Sequence, residues 1–168
     1  RDVLGSRGLG DVYKRQTHHR TPNIITSLEL DPAEMEKRNI HLQKKYAEIE
    51  ENEVRFEELH CEDSEYLIVA FGSCARIAQK AMEMAREEGI KVGLLRPITL
   101  WPFPSKAIAA RAAQVKGILT VELNAGQMVE DVRLAVKCKV PVEHFGRLGG
   151  IVPDPDEVIT ALKEKLIK

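Results

Sequence analysis

The sequence predicts a three-layer α/β protein, in which a mostly parallel sheet lies between two layers of helices. Two largely apolar runs, Tyr66–Phe71 and Lys116–Leu123, have the composition of strands that are buried on both faces. Helical segments separate the predicted strands, and the alternation repeats at intervals of roughly 25 residues, which is typical of βαβ units. Such units join parallel strands and place helices on both faces of the sheet.

The segment before this alternation, residues 17–53, is polar and predicts a linker with one helix. Asp31 is a suitable N-cap, Pro32 suits the first helical position, and Glu34 can complete a capping box. One narrow apolar stripe follows at helical spacing, which favours a helix lying across a neighbouring surface. The stripe consists of Met35, Leu42, Tyr46 and Ile49.

The α/β alternation begins at residue 54. Val54–Leu59 is charged, as expected for an edge strand that must avoid pairing with other chains. Gly72 and Ser73 then turn the strand Tyr66–Phe71 into a helix over residues 74–88, which Gly89 ends. The apolar positions of this helix are Ala75, Ile77, Ala78, Ala81, Met82 and Ala85.

The remaining elements continue the same alternation to the end of the chain. They are strand Val92–Leu95, helix Ser105–Gln114, strand Lys116–Leu123, helix Gln127–Lys137, strand Val142–Phe145 and helix Val158–Ile167. We expect Ser105 to cap its helix, and Asp154, Pro155 and Glu157 to form the start of the last one. The helix after Gln127 should bury Met128, Val132, Leu134, Ala135 and Val136.

Composition excludes several classes of protein. The 168 residues include 25 Lys and Arg against 26 Asp and Glu, and this balance argues against nucleic-acid binding through a basic surface. No apolar stretch has the length that a membrane span needs. The three cysteines, Cys61, Cys74 and Cys138, are too far apart for a CxxC site and odd in number, so we expect a reducing, cytoplasmic setting.

The first sixteen residues stand apart from the rest of the chain. Residues 1–16 show neither the apolar core of a signal peptide nor a helical or strand period, and the string LGDVYKRQ resembles a translated sequencing-adapter scar. We therefore expect a non-native segment or a disordered tail there. No functional residue is predicted in it.

The loops at the carboxyl ends of the predicted parallel strands are where a ligand would bind. Gly72 and Ser73 open a helix whose free N–H groups could hold an anion, although a simple βα turn explains them as well. The loop after the third buried strand brings Asn124, Gly126 and Gln127 to another helix start. Arg147 lies among glycines that would let an anion or a partner backbone approach.

A proline-rich loop, Arg96–Pro104, combines three prolines with Trp101 and Phe103. A stiff aromatic loop beside Arg96 is suited to a protein interface, while the alternative is that Trp101 simply covers the end of the sheet.

The sequence offers no catalytic constellation. Both phosphate-binding glycine signatures, GxGxxG and GxxxxGK[ST], are missing. A helix start would lower the pKa of Cys74, but no histidine has a recognisable spacing to it. His41, His60 and His144 are isolated in the sequence, so neither a metal site nor a general base is predicted.

Three motifs together resemble one family. They are GLLRPITLWPFP, ILTVELNAGQMVEDVRLAV and HFGRLGGIVPDPDEV. They resemble the C-terminal part of the pyrimidine-domain subunit of 2-oxoacid:ferredoxin oxidoreductases, of the 2-oxoisovalerate type first and the 2-oxoglutarate type next. The resemblance covers residues 17–168 and implies a transketolase C-terminal-like domain over residues 54–168, whose five-stranded sheet has an antiparallel first strand.

The resemblance also implies the chemistry of a larger complex. Such a holoenzyme converts a 2-oxoacid and CoA to acyl-CoA, CO2 and reduced ferredoxin, with thiamine diphosphate, Mg and an iron–sulfur cluster as cofactors. No position of this chain matches a catalytic or cofactor-binding motif of the family, so the implied role is non-catalytic, through contact with the thiamine-binding subunit and others in a hetero-oligomer. If a preceding domain belongs with this segment, the apolar stripe and Trp101 should be unusually exposed.

One alternative from another class stays open at this point. A stand-alone α/β module could bind a phosphorylated ligand or a partner protein through Gly72, Ser73, Arg147 and the turn from Asn124 to Gln127. Loss of ligand binding in an Arg147→Ala variant would favour it.

Overall fold

The computed structural model describes residues 28–167. The predicted scar or tail at residues 1–16 lies outside the described residues. The chain divides into two compact units, one ending at Leu42 and the other beginning at Gln43.

Helix α1, Pro32–Asn52, begins at the predicted proline. The Asp31 side chain accepts the backbone N–H of Ala33 at 2.8 Å, which satisfies one of the free donors of the first turn. No residue of α1 is buried. Of the predicted apolar stripe, Tyr46 is 40 % exposed, whereas Met35, Leu42 and Ile49 are half-buried, so the expected exposure holds at one of its four positions.

Five strands form one sheet in the spatial order β1-β3-β2-β4-β5. They are β1 Phe56–Leu59, β2 Tyr66–Ala70, β3 Val92–Pro97, β4 Gly117–Glu122 and β5 Val142–Gly146. β1 pairs with β3 antiparallel, and the other three pairs are parallel. The predicted mostly parallel sheet with an antiparallel edge strand is confirmed.

Four helices cover the two faces of this sheet. They are α2 Gly72–Glu87, α3 Ser105–Ala112, α4 Met128–Val136 and α5 Pro155–Leu162, which runs into a π-helical turn at Lys163–Ile167. α2 and α5 pack on one face, with Ile68 and Leu119 at the centre of that core. α3 and α4 pack on the other face, around Leu67 and Ile118. Since neighbouring residues of a strand point to opposite faces, β2, β3 and β4 each contribute side chains to both cores.

The predicted cap of α3 is wrong. Ser105 is the first residue of α3, and the N-cap position is held by Pro104. No side-chain hydrogen bond caps this helix start.

The predicted inner face of α4 is wrong at one position. Leu134, expected to face inwards, is 75 % exposed, while Val129 is buried instead. The helical register places Val129, Val132 and Val136 on one stripe, and that stripe leaves Leu134 on the opposite side.

The predicted start of the last helix is confirmed. Asp154 and Glu157 form a capping box, in which the Glu157 carboxylate accepts the backbone N–H of Asp154 at 3.1 Å. Among residues 28–167, no helix combines the length and the apolar character required to cross a membrane.

Candidate functional site

The carboxyl ends of the parallel strands define one edge of the sheet. β2, β3, β4 and β5 end there at Ala70, Pro97, Glu122 and Gly146, and the loops that follow carry most of the predicted site residues. In open α/β sheets this edge is the usual place for a ligand.

The side chain of Glu122 occupies the centre of this edge. Its carboxylate is fully buried and accepts the backbone N–H groups of Gln127 at 3.1 Å, Met128 at 2.8 Å and Val129 at 3.0 Å. These are the donors at the start of α4, the helix end that favours negative charge. The helix start that the sequence left open to a ligand is therefore occupied by the chain's own anion.

His144 lies beside this carboxylate. Its Nδ1 is 3.4 Å from Oε1 of Glu122 and 3.3 Å from Oγ1 of Thr120. His144 is isolated from the other histidines in the sequence, but it has polar neighbours in the fold because β4 and β5 pair in parallel with Thr120 opposite His144. The alternation in β4 could have indicated the contact, since Thr120 and Glu122 are its two buried polar residues and share one face.

The predicted residues Asn124, Gly126 and Gln127 form the turn between β4 and α4. Oδ1 of Asn124 accepts the backbone N–H of Gly126 at 2.7 Å, and Gly126 has a φ of 110°, which favours glycine. Gln127 is exposed, whereas Asn124 is half-buried. The amide oxygen of Asn124 is thus used to shape the turn.

Arg147 is already paired within the chain. Its guanidinium lies 3.3 Å from the carboxylate of Glu157, the residue that also caps α5. Its backbone N–H donates to the carbonyl of Glu122 at 3.3 Å, which ties the start of this loop to the end of β4. The ion pair to Glu157 reduces the charge that Arg147 can offer to an anion.

Gly72, Ser73 and Cys74 open α2 at the same edge. Gly72 has a φ of 56°, and both Gly72 and Ser73 are exposed. The Cys74 thiol is buried, and burial together with the nearby Glu122 carboxylate raises its pKa. The expected lowering of the Cys74 pKa is therefore wrong, because desolvation and a neighbouring negative charge both oppose the thiolate.

The proline-rich loop lies apart from this centre, between β3 and α3. Arg96 pairs across the sheet edge with Glu57 of β1, at 2.8 Å. Trp101 is 55 % exposed and meets the ring of Tyr46 edge to face, with the ring centroids 5.7 Å apart. Trp101 thus leaves more than half of its surface to solvent.

An open groove of about 950 Å³ runs between the C-terminal part of α1 and this loop. We call it the aromatic groove. Its lining includes Glu50, Glu51, Phe56, Trp101, Phe103 and Lys106. The start of α4 is filled by the Glu122 side chain, whereas the aromatic groove, beside the carboxyl end of β3, is open and has aromatic and proline side chains along its loop wall.

Neither region has the composition of a metal centre. Among residues 28–167, no group of three or more His, Cys, Asp and Glu side chains could hold a metal ion. The described residues therefore do not fit a Mg-held diphosphate or an iron–sulfur cluster, which are bound by carboxylate oxygens and by clustered thiolates.

Residues 64–158 match the family model of the pyruvate:ferredoxin oxidoreductase core domain II. The chain belongs to this family. It is similar to the ketoisovalerate oxidoreductase subunit VorB of Methanothermobacter marburgensis, with 46 % identity over 142 residues, and to that of Methanothermobacter thermautotrophicus, with 48 % identity over 142 residues. Each of these two alignments covers 84 % of this chain and 40 % of the relative.

More distant relatives agree with this placement. The 2-oxoglutarate synthase subunit KorA of Methanothermobacter thermautotrophicus is 34 % identical over 101 residues, covering 60 % of this chain and 27 % of the relative. The structure of 2-oxoglutarate:ferredoxin oxidoreductase from Magnetococcus marinus superposes with a TM-score of 0.72 at 24 % identity, over 86 % of this chain and 27 % of that one. At that identity the likeness shows the fold alone.

Proposed function

We propose that this chain acts as the core domain II part of a 2-oxoacid:ferredoxin oxidoreductase subunit of the ketoisovalerate type. The observation that carries the proposal is the 46 % and 48 % identity to two ketoisovalerate oxidoreductase subunits over 142 residues. The 2-oxoglutarate synthase subunits are 31 % to 34 % identical over shorter or similar lengths. The chain spans about 40 % of the ketoisovalerate relatives, so its role is proposed as part of a longer subunit.

Within this proposal, residues 54–168 are the domain itself and residues 17–53 are the linker that leads into it. Residues 1–16 carry no functional residue in this proposal. The domain is proposed to contribute no catalytic residue, and the filling of the α4 start by the Glu122 carboxylate supports this role. Its contribution is structural support and contact with other subunits.

The complex so proposed converts 2-oxoisovalerate and CoA to the acyl-CoA and CO2, and two electrons pass to ferredoxin. When bound, thiamine diphosphate with Mg supplies the stabilised carbanion, and an iron–sulfur cluster carries the electrons. We assign these groups to the other parts of the complex, with the thiamine-binding subunit as the direct partner. The proposed setting is the cytoplasm.

The test is reconstitution of the complex. The gene that contains this sequence is expressed with the neighbouring subunit genes, and CoA-dependent reduction of ferredoxin is measured with 2-oxoisovalerate, 2-oxoglutarate and pyruvate. We expect the highest kcat/KM with 2-oxoisovalerate. A matched complex that lacks residues 54–168 should fail to assemble.

Two results would contradict the proposal. One is a correctly assembled, cofactor-loaded complex that reduces ferredoxin with none of these 2-oxoacids. The other is saturable binding of a phosphorylated ligand to this chain alone, weakened by Arg147→Ala, which would favour a stand-alone binding module.

A further inference from the structure

We propose that the aromatic groove docks an apolar segment of another subunit, and that this segment carries an arginine or lysine side chain opposite Glu50 and Glu51. The inference rests on the proposed function, because the partner is taken to be a subunit of the same complex. It goes further by naming the surface and the chemistry of the segment that binds there.

The first support is the concentration of aromatic side chains. The chain has one Trp, three Tyr and four Phe, and the groove and its rim hold Trp101, Tyr46, Phe56 and Phe103. Trp101 is 55 % exposed, Tyr46 40 % and Phe56 39 %. Tryptophan and tyrosine dominate the binding energy of protein interfaces, because they bury much area with few rotatable bonds.

The second support is that hydrogen bonds and prolines restrain the loop wall of the groove. Oγ1 of Thr99 donates to the carbonyl of Pro102 at 2.8 Å, and the backbone N–H of Ile98 donates to the carbonyl of Arg55 at 2.9 Å. Pro102 and Pro104 restrict the backbone further. A preformed wall loses little entropy when a partner binds, which leaves more of the contact energy for affinity.

The third support is the negative charge of the groove lining, which favours a partner segment with a cationic side chain. Glu50 and Glu51 line the groove and form no ion pair with another described residue. Lys106 is the one cation among the lining residues in the described part of the chain, so this lining is net negative. A cationic side chain of a partner would therefore be attracted, and beside the exposed indole of Trp101 it also gains a cation–π contact.

The cations near the groove on the β1 side do not offset this charge, because each is already paired. Arg55 pairs with Glu53 at 3.0 Å, and Arg96 pairs with Glu57 at 2.8 Å. Each of these ion pairs has no net charge, so neither cancels the negative charge of Glu50 and Glu51.

The experiment uses Trp101, the single tryptophan of these 168 residues, as its probe, and a Trp101→Phe variant identifies its signal. The subunit that contains this sequence is labelled with 5-fluorotryptophan and mixed with the unlabelled partner subunits, expressed from the neighbouring genes, while the fluorine signal is followed by NMR. We expect the Trp101 signal to shift on assembly and its sensitivity to a soluble quencher to fall.

A variant in which two charges are reversed tests for the cationic side chain of the partner segment. In the Glu50→Lys, Glu51→Lys variant the dissociation constant for the partner subunits should rise about tenfold, as expected when an interfacial ion pair becomes a repulsion. The matched control is Glu87→Lys, Glu164→Lys, which makes the same charge change at exposed positions away from the groove and should leave the dissociation constant unchanged. Circular dichroism checks that both variants fold.

The outcomes separate this inference from the proposed function. An active, assembled complex in which the Trp101 signal does not change overturns the docking site and leaves the proposed function standing. If the Trp101 signal shifts as the concentration of this chain alone is raised, the groove binds a second copy of the chain. That result would contradict docking of another subunit. Equal effects of the two charge-reversal variants would contradict the proposed arginine or lysine on the partner segment. Failure of any complex to form defeats the proposed function itself.

Discussion

The carboxylate of Glu122 accepts the backbone N–H of Met128 at 2.8 Å, and this contact joins the end of β4 to the start of α4. Two further N–H groups, from Gln127 and Val129, complete the set. An anion held by the N–H groups of a helix start is the arrangement that α/β proteins use for ligand phosphates. In this chain the anion is the Glu122 side chain, so the contact stabilises the fold and leaves no room for a ligand phosphate at these N–H groups.

We expect Glu122→Gln to lower the free energy of unfolding by about 2–4 kcal/mol, because an amide loses one acceptor and points its own N–H₂ at backbone donors in a buried place. Urea unfolding with an unchanged m value measures the effect. Glu87→Gln, on the exposed end of α2, is the matched control and should change stability by less than about 0.5 kcal/mol. Equal stability of the two variants would show that the carboxylate is dispensable.

Two strand glycines should respond differently to alanine. A methyl group on Gly146 would collide with the backbone carbonyl oxygen of Asn124, while one on Gly117 would lie 2.8 Å from the flexible end of the Leu166 side chain. We expect Gly146→Ala to cost about 3 kcal/mol of unfolding free energy and Gly117→Ala about 1 kcal/mol or less, since only the side chain can move aside. Thermal and urea unfolding compare the two variants, and the reverse order of stability would contradict the packing around these two glycines.

The three cysteines should react at very different rates. Burial, reinforced by the nearby Glu58 carboxylate, raises the pKa of the Cys61 thiol to about 11, and the Cys74 pKa is also raised. Cys138 is exposed. At about pH 8 we expect iodoacetamide to label Cys138 alone in the native chain and every cysteine in the denatured chain, because the thiolate is the reactive form.

Peptide mass spectrometry identifies the labelled residue. A Cys138→Ser variant serves as the control and should take up no label within the same time. Rapid labelling of Cys61 in the native chain would contradict its buried, high-pKa state.

The stability of the fold at acid pH should depend in part on Asp63. The hydrogen bonds from Arg86, at 2.6 Å and 2.7 Å, lower the pKa of Asp63 from its ordinary value of 3.8. Because the folded pKa is the lower one, this pair stabilises the fold above about pH 4 and loses its effect as the pH falls through the folded pKa.

We therefore expect Asp63→Asn to be less stable than the parent protein at neutral pH and to approach it as the pH falls below about 4. Urea unfolding at a series of pH values measures the difference. Asp156→Asn, at an exposed position in the first turn of α5, is the control variant for removal of an exposed carboxylate. A constant gap between Asp63→Asn and the parent down to low pH would contradict the pairing.

The predicted site residues are only partly brought together by the fold. Asn124, Gly126, Gln127 and Arg147 do meet around the end of β4, but Arg96 and Trp101 belong to the separate region of the proline-rich loop. The partners that decide their roles are remote in the sequence. Glu157 pairs with Arg147 and Glu57 pairs with Arg96, and neither contact follows from spacing along the chain.

The sequence by itself determined the layers and the direction of the sheet. Apolar runs such as Tyr66–Ala70, alternating with amphipathic helices, are compatible with few other arrangements, because buried strands need helices on both faces. The tertiary structure alone decided what the carboxyl edge can do. The rotamer of Glu122 decides whether the N–H groups at the start of α4, five to seven residues further along the chain, are free or bonded, and this rotamer is fixed by packing. The pairing of β4 with β5 then brings His144 to 3.4 Å from the same carboxylate, a contact that spacing along the chain does not predict.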